Sequence, residues 1–231
     1  MILQTRCLGV CDYEKAWELQ KRLVILRQQN IIPDTLLLLQ HPPTFTLGRS
    51  AKHEHLLVSA SHLDSQGISV IDTDRGGDIT YHGPGQLVGY PILRLDQSPN
   101  TPNLHGYLRK IEESIIIAVK QYGVVAGRFS GYTGVWLNRD DSTHDKIAAI
   151  GIRCSRWVTL HGFALNISTD LNYFDYIIPC GIKEYGVTSL EKETGLKLTI
   201  EEAIDVFIPN FAEVFGYEQV IEMREKITDL C

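Results

Sequence analysis

Apolar residues recur at helical spacing through Ala16, Leu19, Leu23 and Leu26, which predicts a helix capped by Asp12 and running to about Gln29. The apolar run from Thr35 to Leu39 reads instead as a short strand, stopped at His41-Pro42-Pro43 because proline has no N–H to give a ladder. Thr44 to Arg49 reads as another strand ending at Gly48, Glu54 to Gln66 as a short helix, and Ile68 to Ile71 and Leu87 to Ile92 as strands. From Leu104 to Gln121 the residues Leu108, Ile111, Ile115, Ala118 and Val119 share one side, and Gly123 is the stop signal for that helix. Strands are expected again at Val124 to Ala126, Gly134 to Leu137, Lys146 to Arg153 and Trp157 to Ile167. A last helix begins after Thr199, with Glu202 three residues on completing a capping box, and Pro209 should kink or divide it. The pattern predicts an α+β fold, a mixed sheet sandwich with flanking helices.

A chain of 231 residues without linker or repeat is expected to form one domain, residues 1–231. No stretch approaches eighteen apolar residues, and Met1 to Val10 lacks the charged-then-apolar order of a signal peptide, so the chain is expected to be soluble and cytoplasmic, with no membrane partner. The odd cysteine count, Cys7, Cys11, Cys154, Cys180 and Cys231, argues against a disulfide scaffold. A formal charge of −6, with no basic stripe carrying interleaved aromatics, argues against nucleic acid.

The candidate chemistry lies in two places. Cys180 sits between a rigid proline and a glycine in Pro179-Cys180-Gly181-Ile182, and Lys146 opens the apolar run Lys146-Ile147-Ala148-Ala149-Ile150-Gly151. A free thiol with pKa about 8.5 is only a few per cent ionised at neutral pH, so an ammonium that lowers it, or an amine that takes its proton, raises the reactive thiolate fraction. Between predicted strands, Asp74 to Gln86 packs four glycines and a proline into thirteen residues. Such a segment lets backbone approach a ligand and expose N–H groups, with Arg75 and His82 as further donors to a carbonyl or anion. Neither G-x-G-x-x-G nor a P-loop is present, so a dinucleotide or simple nucleotide site is not supported.

Three blocks in this order, Arg75-Gly76-Gly77-Asp78-Ile79-Thr80-Tyr81-His82-Gly83-Pro84-Gly85-Gln86, then Lys146 to Gly151 with His161-Gly162-Phe163-Ala164-Leu165-Asn166, then Pro179 to Ile182, closely resemble the octanoyltransferases of lipoate biosynthesis. The resemblance spans roughly Leu36 to Leu190. It implies the fold of the biotin and lipoate ligase catalytic domain. It also implies transfer of an octanoyl or lipoyl group from octanoyl-acyl carrier protein to a lysine of lipoyl domains, those of 2-oxoacid dehydrogenase E2 subunits and the glycine cleavage H protein, with no cofactor. By the same resemblance Cys180 forms an acyl-thioester and Lys146 lowers its pKa or acts as acid and base. Acyl binding falls on Arg75, Gly76, Gly77, Asp78, Ile79, Thr80, Tyr81 and His82, on Ala149, Ile150 and Gly151, and on Gly162, Phe163 and Ala164.

The residues agree with that division. A saturated chain offers nothing polar to recognise and needs an apolar slot, and the small side chains at Ala149, Gly151, Gly162 and Ala164 leave room for one. The two partners are typically acidic, so basic residues should gather at the entrance, with Arg49, Lys52, Arg153, Arg156 and Lys183 as candidates. An ATP-dependent lipoate or biotin ligase would use the same fold with Cys180 a bystander, and a non-catalytic carrier-binding module would dispense with Cys180 or Lys146. Their joint presence favours the transferase. His53-Glu54-His55 lacks the H-E-x-x-H spacing, because Leu57 stands in the second histidine's place, and reads as a solvated loop; no metal is predicted. His161 serves equally as an orienting group or as a structural histidine. Asn138 to Asp145 reads as a mobile, solvated loop.

Overall fold

The computed structural model describes residues 1–97, 99–139, 143–178 and 185–223. Its helices begin where capping chemistry stands in the sequence. Asp12 accepts the amides of Glu14 and Lys15 at 3.0 and 3.2 Å and opens α1 (Tyr13–Gln28), satisfying donors that a first turn leaves unpaired. Asn103 does the same for α3 (Leu104–Lys120), and Thr199 with Glu202 closes a reciprocal capping box on α5 (Ile200–Phe215).

The large mixed sheet runs in the order β12-β1-β2-β6-β10-β9-β8-β7. Its members are β1 (Ile2–Val10), β2 (Asp34–Gln40), β6 (Gln86–Ile92), β7 (Gly127–Phe129), β8 (Tyr132–Asn138), β9 (His144–Ser155), β10 (Val158–Asn166) and β12 (Gln219–Glu222), with the short β11 (Gly186–Val187) beside β9. Strand alternation sorts the core onto two faces. Leu36, Leu38, Leu87, Phe163 and Leu165 pack with α3 and α5, whereas Leu37, Leu39, Val88, Tyr90, Leu160 and Ala164 pack with α1. A second sheet, β4-β3-β5, comprises β3 (Thr44–Leu47), β4 (Ser69–Asp72) and β5 (Ile79–His82), and has its own core around Phe45, Ile79, Tyr81 and Phe174. Asp34, at the start of β2, is buried and takes Arg27 Nε at 2.7 Å, the Tyr217 hydroxyl at 2.6 Å, Asn100 Nδ2 at 3.1 Å and the Arg94 amide at 2.9 Å, which ties the end of α1 and the segment after α5 to the sheet.

Three expectations change, and one pairing is new. The helix expected over Glu54 to Gln66 divides into a 3₁₀ turn, His53–His55, and α2 (Ala60–Ser65): Leu56 and Leu57 are extended against Ile177 and Tyr176, and Ser59 caps the helix anew. The strand expected at Val124 to Ala126 forms instead as β7, and Val125 is left 86% exposed. Pro209 neither ends nor divides α5, because Ile204, Phe207, Ile208, Phe211 and Phe215 bury one continuous face around it. Finally, β1 and β12 pair in parallel at the sheet's edge, a partnership of residues some 217 positions apart that local pattern does not reveal. Among the described residues no helix is long and apolar enough to cross a membrane.

Candidate functional site

The site is built on the register of β9 and β10. Ala149 lies opposite Ala164 and Gly151 opposite Gly162, so four small residues form two adjacent cross-strand pairs, and being two positions apart they share one face. The Gly-rich segment closes over this shallow floor. Gly76 donates its N–H to the Ile152 carbonyl at 2.9 Å, and the turn after β3 holds the other side, with the Arg49 amide on the Arg75 carbonyl at 3.0 Å and the Ser50 amide on Gly77 at 3.1 Å. Gly151 is small for this reason too: a Cβ there would stand 2.8 Å from the Gly76 carbonyl oxygen. The segment was expected to expose its N–H groups, yet that of Gly76 is spent on β9.

Arg75 braces the same loop from inside. Its guanidinium is buried and donates to the Thr46 carbonyl at 2.6 Å, to Thr46 Oγ1 at 2.9 and 3.2 Å, and to the Gly76 carbonyl at 3.0 Å. The hydrogen bonds that follow fix one proton order. Gln86 donates through Nε2 to the Tyr81 carbonyl and to Asn166 Oδ1, so its Oε1 accepts from His82 Nδ1–H at 2.9 Å. His82 Nε2 then carries the lone pair and accepts the Thr46 hydroxyl proton at 3.3 Å, since Thr46 Oγ1 is already an acceptor from Arg75. Burial, and then the neighbouring His41 and Arg75, hold His82 well below the ordinary histidine range, which keeps this tautomer neutral. At the far end Asn166 Nδ2 donates to the Thr188 carbonyl at 3.0 Å.

Thr188 follows β11, whose Val187 pairs with Lys146, and the Thr188 amide donates to the Lys146 carbonyl at 3.0 Å. Lys146 is therefore held on β9 between β8 and β11. Its ammonium lies 4.4 Å above the Trp136 ring, an attraction of a cation to an aromatic face. Cys180 and Lys183 lie outside the described residues.

A single cavity of about 330 Å³, within the range of small-ligand sites, gathers most of the predicted residues. Lys146, Arg75, Gly76, Gly77, Asp78, Ile79, Thr80, His82, Ala149, Ile150, Gly151, Gly162, Phe163 and Ala164 all line it. Tyr81 does not. Alternation on β5 turns its ring into the small sheet's core, stacked 4.6 Å from Tyr173. The wall also includes Tyr13, Gln86, Tyr90, His161, Asn166 and Phe174. Tyr90 was the detectable one, as a hydroxyl inside an apolar strand: it donates to His41 Nε2 at 2.7 Å while His41 Nδ1–H donates to the Cys11 carbonyl at 2.7 Å. Nothing local to Tyr13 marks it; burial pushes its phenol up to about 12, opposed in part by Arg75.

At the cavity's rim His161 Nε2 contacts Asp74 Oδ1 at 2.6 Å, and Arg153 pairs with the same carboxylate. Burial, then Arg75, Arg153 and Lys21, bring His161 down to about 3. Asp74 alone would favour the imidazolium, but Arg153 already neutralises it, so His161 is a neutral donor at Nε2. Of the basic candidates, Arg49 and Arg153 therefore border the loop, Lys52 pairs with Glu54 at 3.6 Å, and Arg156 is exposed at the tip of the β9–β10 hairpin. His53-Glu54-His55 departs from a solvated loop, because His55 is half-buried and contacts Asp78. Arg139, just after β8, pairs with Asp145 of β9 at 2.8 Å. Among the described cysteines, Cys7 and Cys154 are free and Cys11 is disulfide-bonded, a bond the odd count did not predict.

Comparison with known proteins adds to this geometry. The profile of the lipoyl protein ligase A/B catalytic domain matches residues 12–212. An octanoyltransferase of Rubrobacter xylanophilus is 49% identical over 213 residues, covering 91% of this chain and 92% of that protein. Another, of Koribacter versatilis, is 46% identical over 229 residues, covering 99% and 90%. Among solved structures, a bipartite lipoate protein ligase of Thermoplasma acidophilum superposes with a TM-score of 0.75 over 100% of this chain and 90% of that one, at 17% identity, a likeness of fold.

Proposed function

We propose that this chain, which belongs to the lipoyl protein ligase A/B catalytic domain family, moves an octanoyl group from a carrier-protein thioester to a lysine of a lipoyl domain through a thioester on Cys180. It is an acyltransferase, as its curated relatives are. The observation that carries the finer reading is the floor made by the pairs Ala149–Ala164 and Gly151–Gly162 in the same cavity as Lys146. An alkyl chain needs such a floor. Burying its seven carbons beyond the carbonyl is worth about 6 kcal/mol.

In the first step the Cys180 thiolate attacks the donor carbonyl, the carrier's thiolate leaves, and the proton released by Cys180 returns to it. In the second the acceptor amine attacks the Cys180 thioester, a carbon–nitrogen bond replaces the carbon–sulfur bond, and the amine's proton restores the thiol. Lys146 serves these transfers as the charge or proton relay to the thiol. His82 and His161, both neutral, add no charge of their own to a cavity wall that already carries Arg75, Asp78 and Lys146.

The test is intact-mass analysis of the purified protein, under reductant because Cys11 is disulfide-bonded, after incubation with octanoyl carrier protein without ATP. Gain of one octanoyl group on Cys180, lost again on addition of a lipoyl domain, is the expected result. Loading that requires ATP and free octanoate would point to ligase chemistry instead.

A further inference from the structure

We propose that His55 is a positioning residue for this reaction, holding the Gly-rich loop and the stretch Tyr176 to Ile178 in one arrangement. The inference rests on the transfer reading above. Its basis is that one residue bonds both segments at once. The His55 side chain reaches Asp78 Oδ2 at 2.6 Å, and since a carboxylate only accepts, Nδ1 carries the proton and donates. Asp78 lines the cavity and uses its other oxygen to accept the Ile79 amide at 2.7 Å, so its carboxylate is held by two donors.

The backbone of the same short segment faces the other way. The His55 carbonyl accepts the Ile178 amide at 2.8 Å, the Leu57 amide donates to the Tyr176 carbonyl at 2.8 Å, and Leu56 bridges Ile177. Ile178 stands two residues before Cys180 in the sequence. Both groups of the His55–Asp78 pair are mostly buried, 14% and 11% exposed, so the bond is shielded from competing water. A side chain that only filled space would not need a donor directed at Asp78.

The experiment compares His55→Ala and His55→Asn with the wild type by the initial rate of octanoyl loading at Cys180, by kcat and KM for transfer, and by Tm. Asparagine places an N–H where the ring's Nδ1–H stands. His55→Ala is expected to lower the loading rate and kcat by about 10- to 100-fold, the effect of losing a charge-assisted bond that positions reacting groups, with KM for the carrier changed less. His55→Asn is expected to recover most of that loss. Loading by His55→Ala at the wild-type rate would overturn the proposal, as would equal losses in both variants that track equal falls in Tm, since the side chain would then matter only for packing. A wild type that never loads would defeat the transfer reading itself, and this inference with it, a result distinguishable because the variants are scored relative to a loading parent.

Discussion

Replacing Ala164 by leucine tests whether the paired small residues measure the acyl chain. Ala164 is 4% exposed, lines the cavity and faces Ala149 across β9 and β10. Leucine adds three carbons on that face, and if they occupy the space of three acyl methylenes the bound octanoyl chain loses about 0.8 kcal/mol for each. The total, about 2.4 kcal/mol, corresponds to roughly fiftyfold in transfer rate. A butanoyl donor ends before the blocked stretch and should be slowed only a few-fold. The assay measures loading of Cys180 from butanoyl and octanoyl carrier protein by intact mass, with Tm checking that the variant is folded. Equal losses for both donors would refute the slot. Gly151→Val, which looks equivalent in the sequence, is a different perturbation: its Cβ would meet the Gly76 carbonyl oxygen at 2.8 Å and Arg75 Cδ at 3.2 Å, so it displaces the loop and should impair both donors alike.

Cys180→Ser should stay folded and lose transfer, because a hydroxyl is far less ionised than a thiol; near wild-type turnover would exclude a covalent intermediate. Lys146→Ala should slow alkylation of Cys180 at pH 7, followed by peptide mapping, and move its pH profile upward, and unchanged rates would show that the two side chains are not coupled. His41 and His161 are held down to about 4 and about 3, first by burial, so between those values and the ordinary 6.5 the unfolded chain binds protons that the folded chain does not. That contribution to stability is complete above about pH 6.5 and declines as pH falls below it, by up to about 1.4 kcal/mol per pH unit for each histidine; denaturant titrations giving the same stability at pH 7 and pH 5 would contradict it. Asp34→Ala strands Arg27 and the Tyr217 hydroxyl in a buried site and should cost about 3–5 kcal/mol, or roughly 10 °C in Tm, and a fall of only a degree or two would show that the cluster is dispensable.

The starts of α1, α3 and α5 were legible because their causes are local: Asp12, Asn103 and the Thr199–Glu202 box each satisfy amides within a few residues of themselves. The strands that became β2, β6 and β10 were legible for a similar reason, since a run buried on both faces is largely apolar whatever its partner. The blocks around Arg75, Lys146 and Gly162 also carried their own chemistry, and the cavity gathers nearly all of them. What the chain alone left open was every matter of partnership. Tyr81 faces the small sheet because β5 pairs with β3, and the helix expected after Glu54 breaks because Leu56 pairs with Ile177. Gly151 meets Gly76, His82 meets Gln86 and Asn166, and His55 meets Asp78 only once strands distant in sequence have taken their register. A cap or an apolar run is decided by neighbours along the backbone, whereas a sheet register is decided by which of many burials can be satisfied together, and a shift of one residue would turn Ala149 and Ala164 away from the cavity.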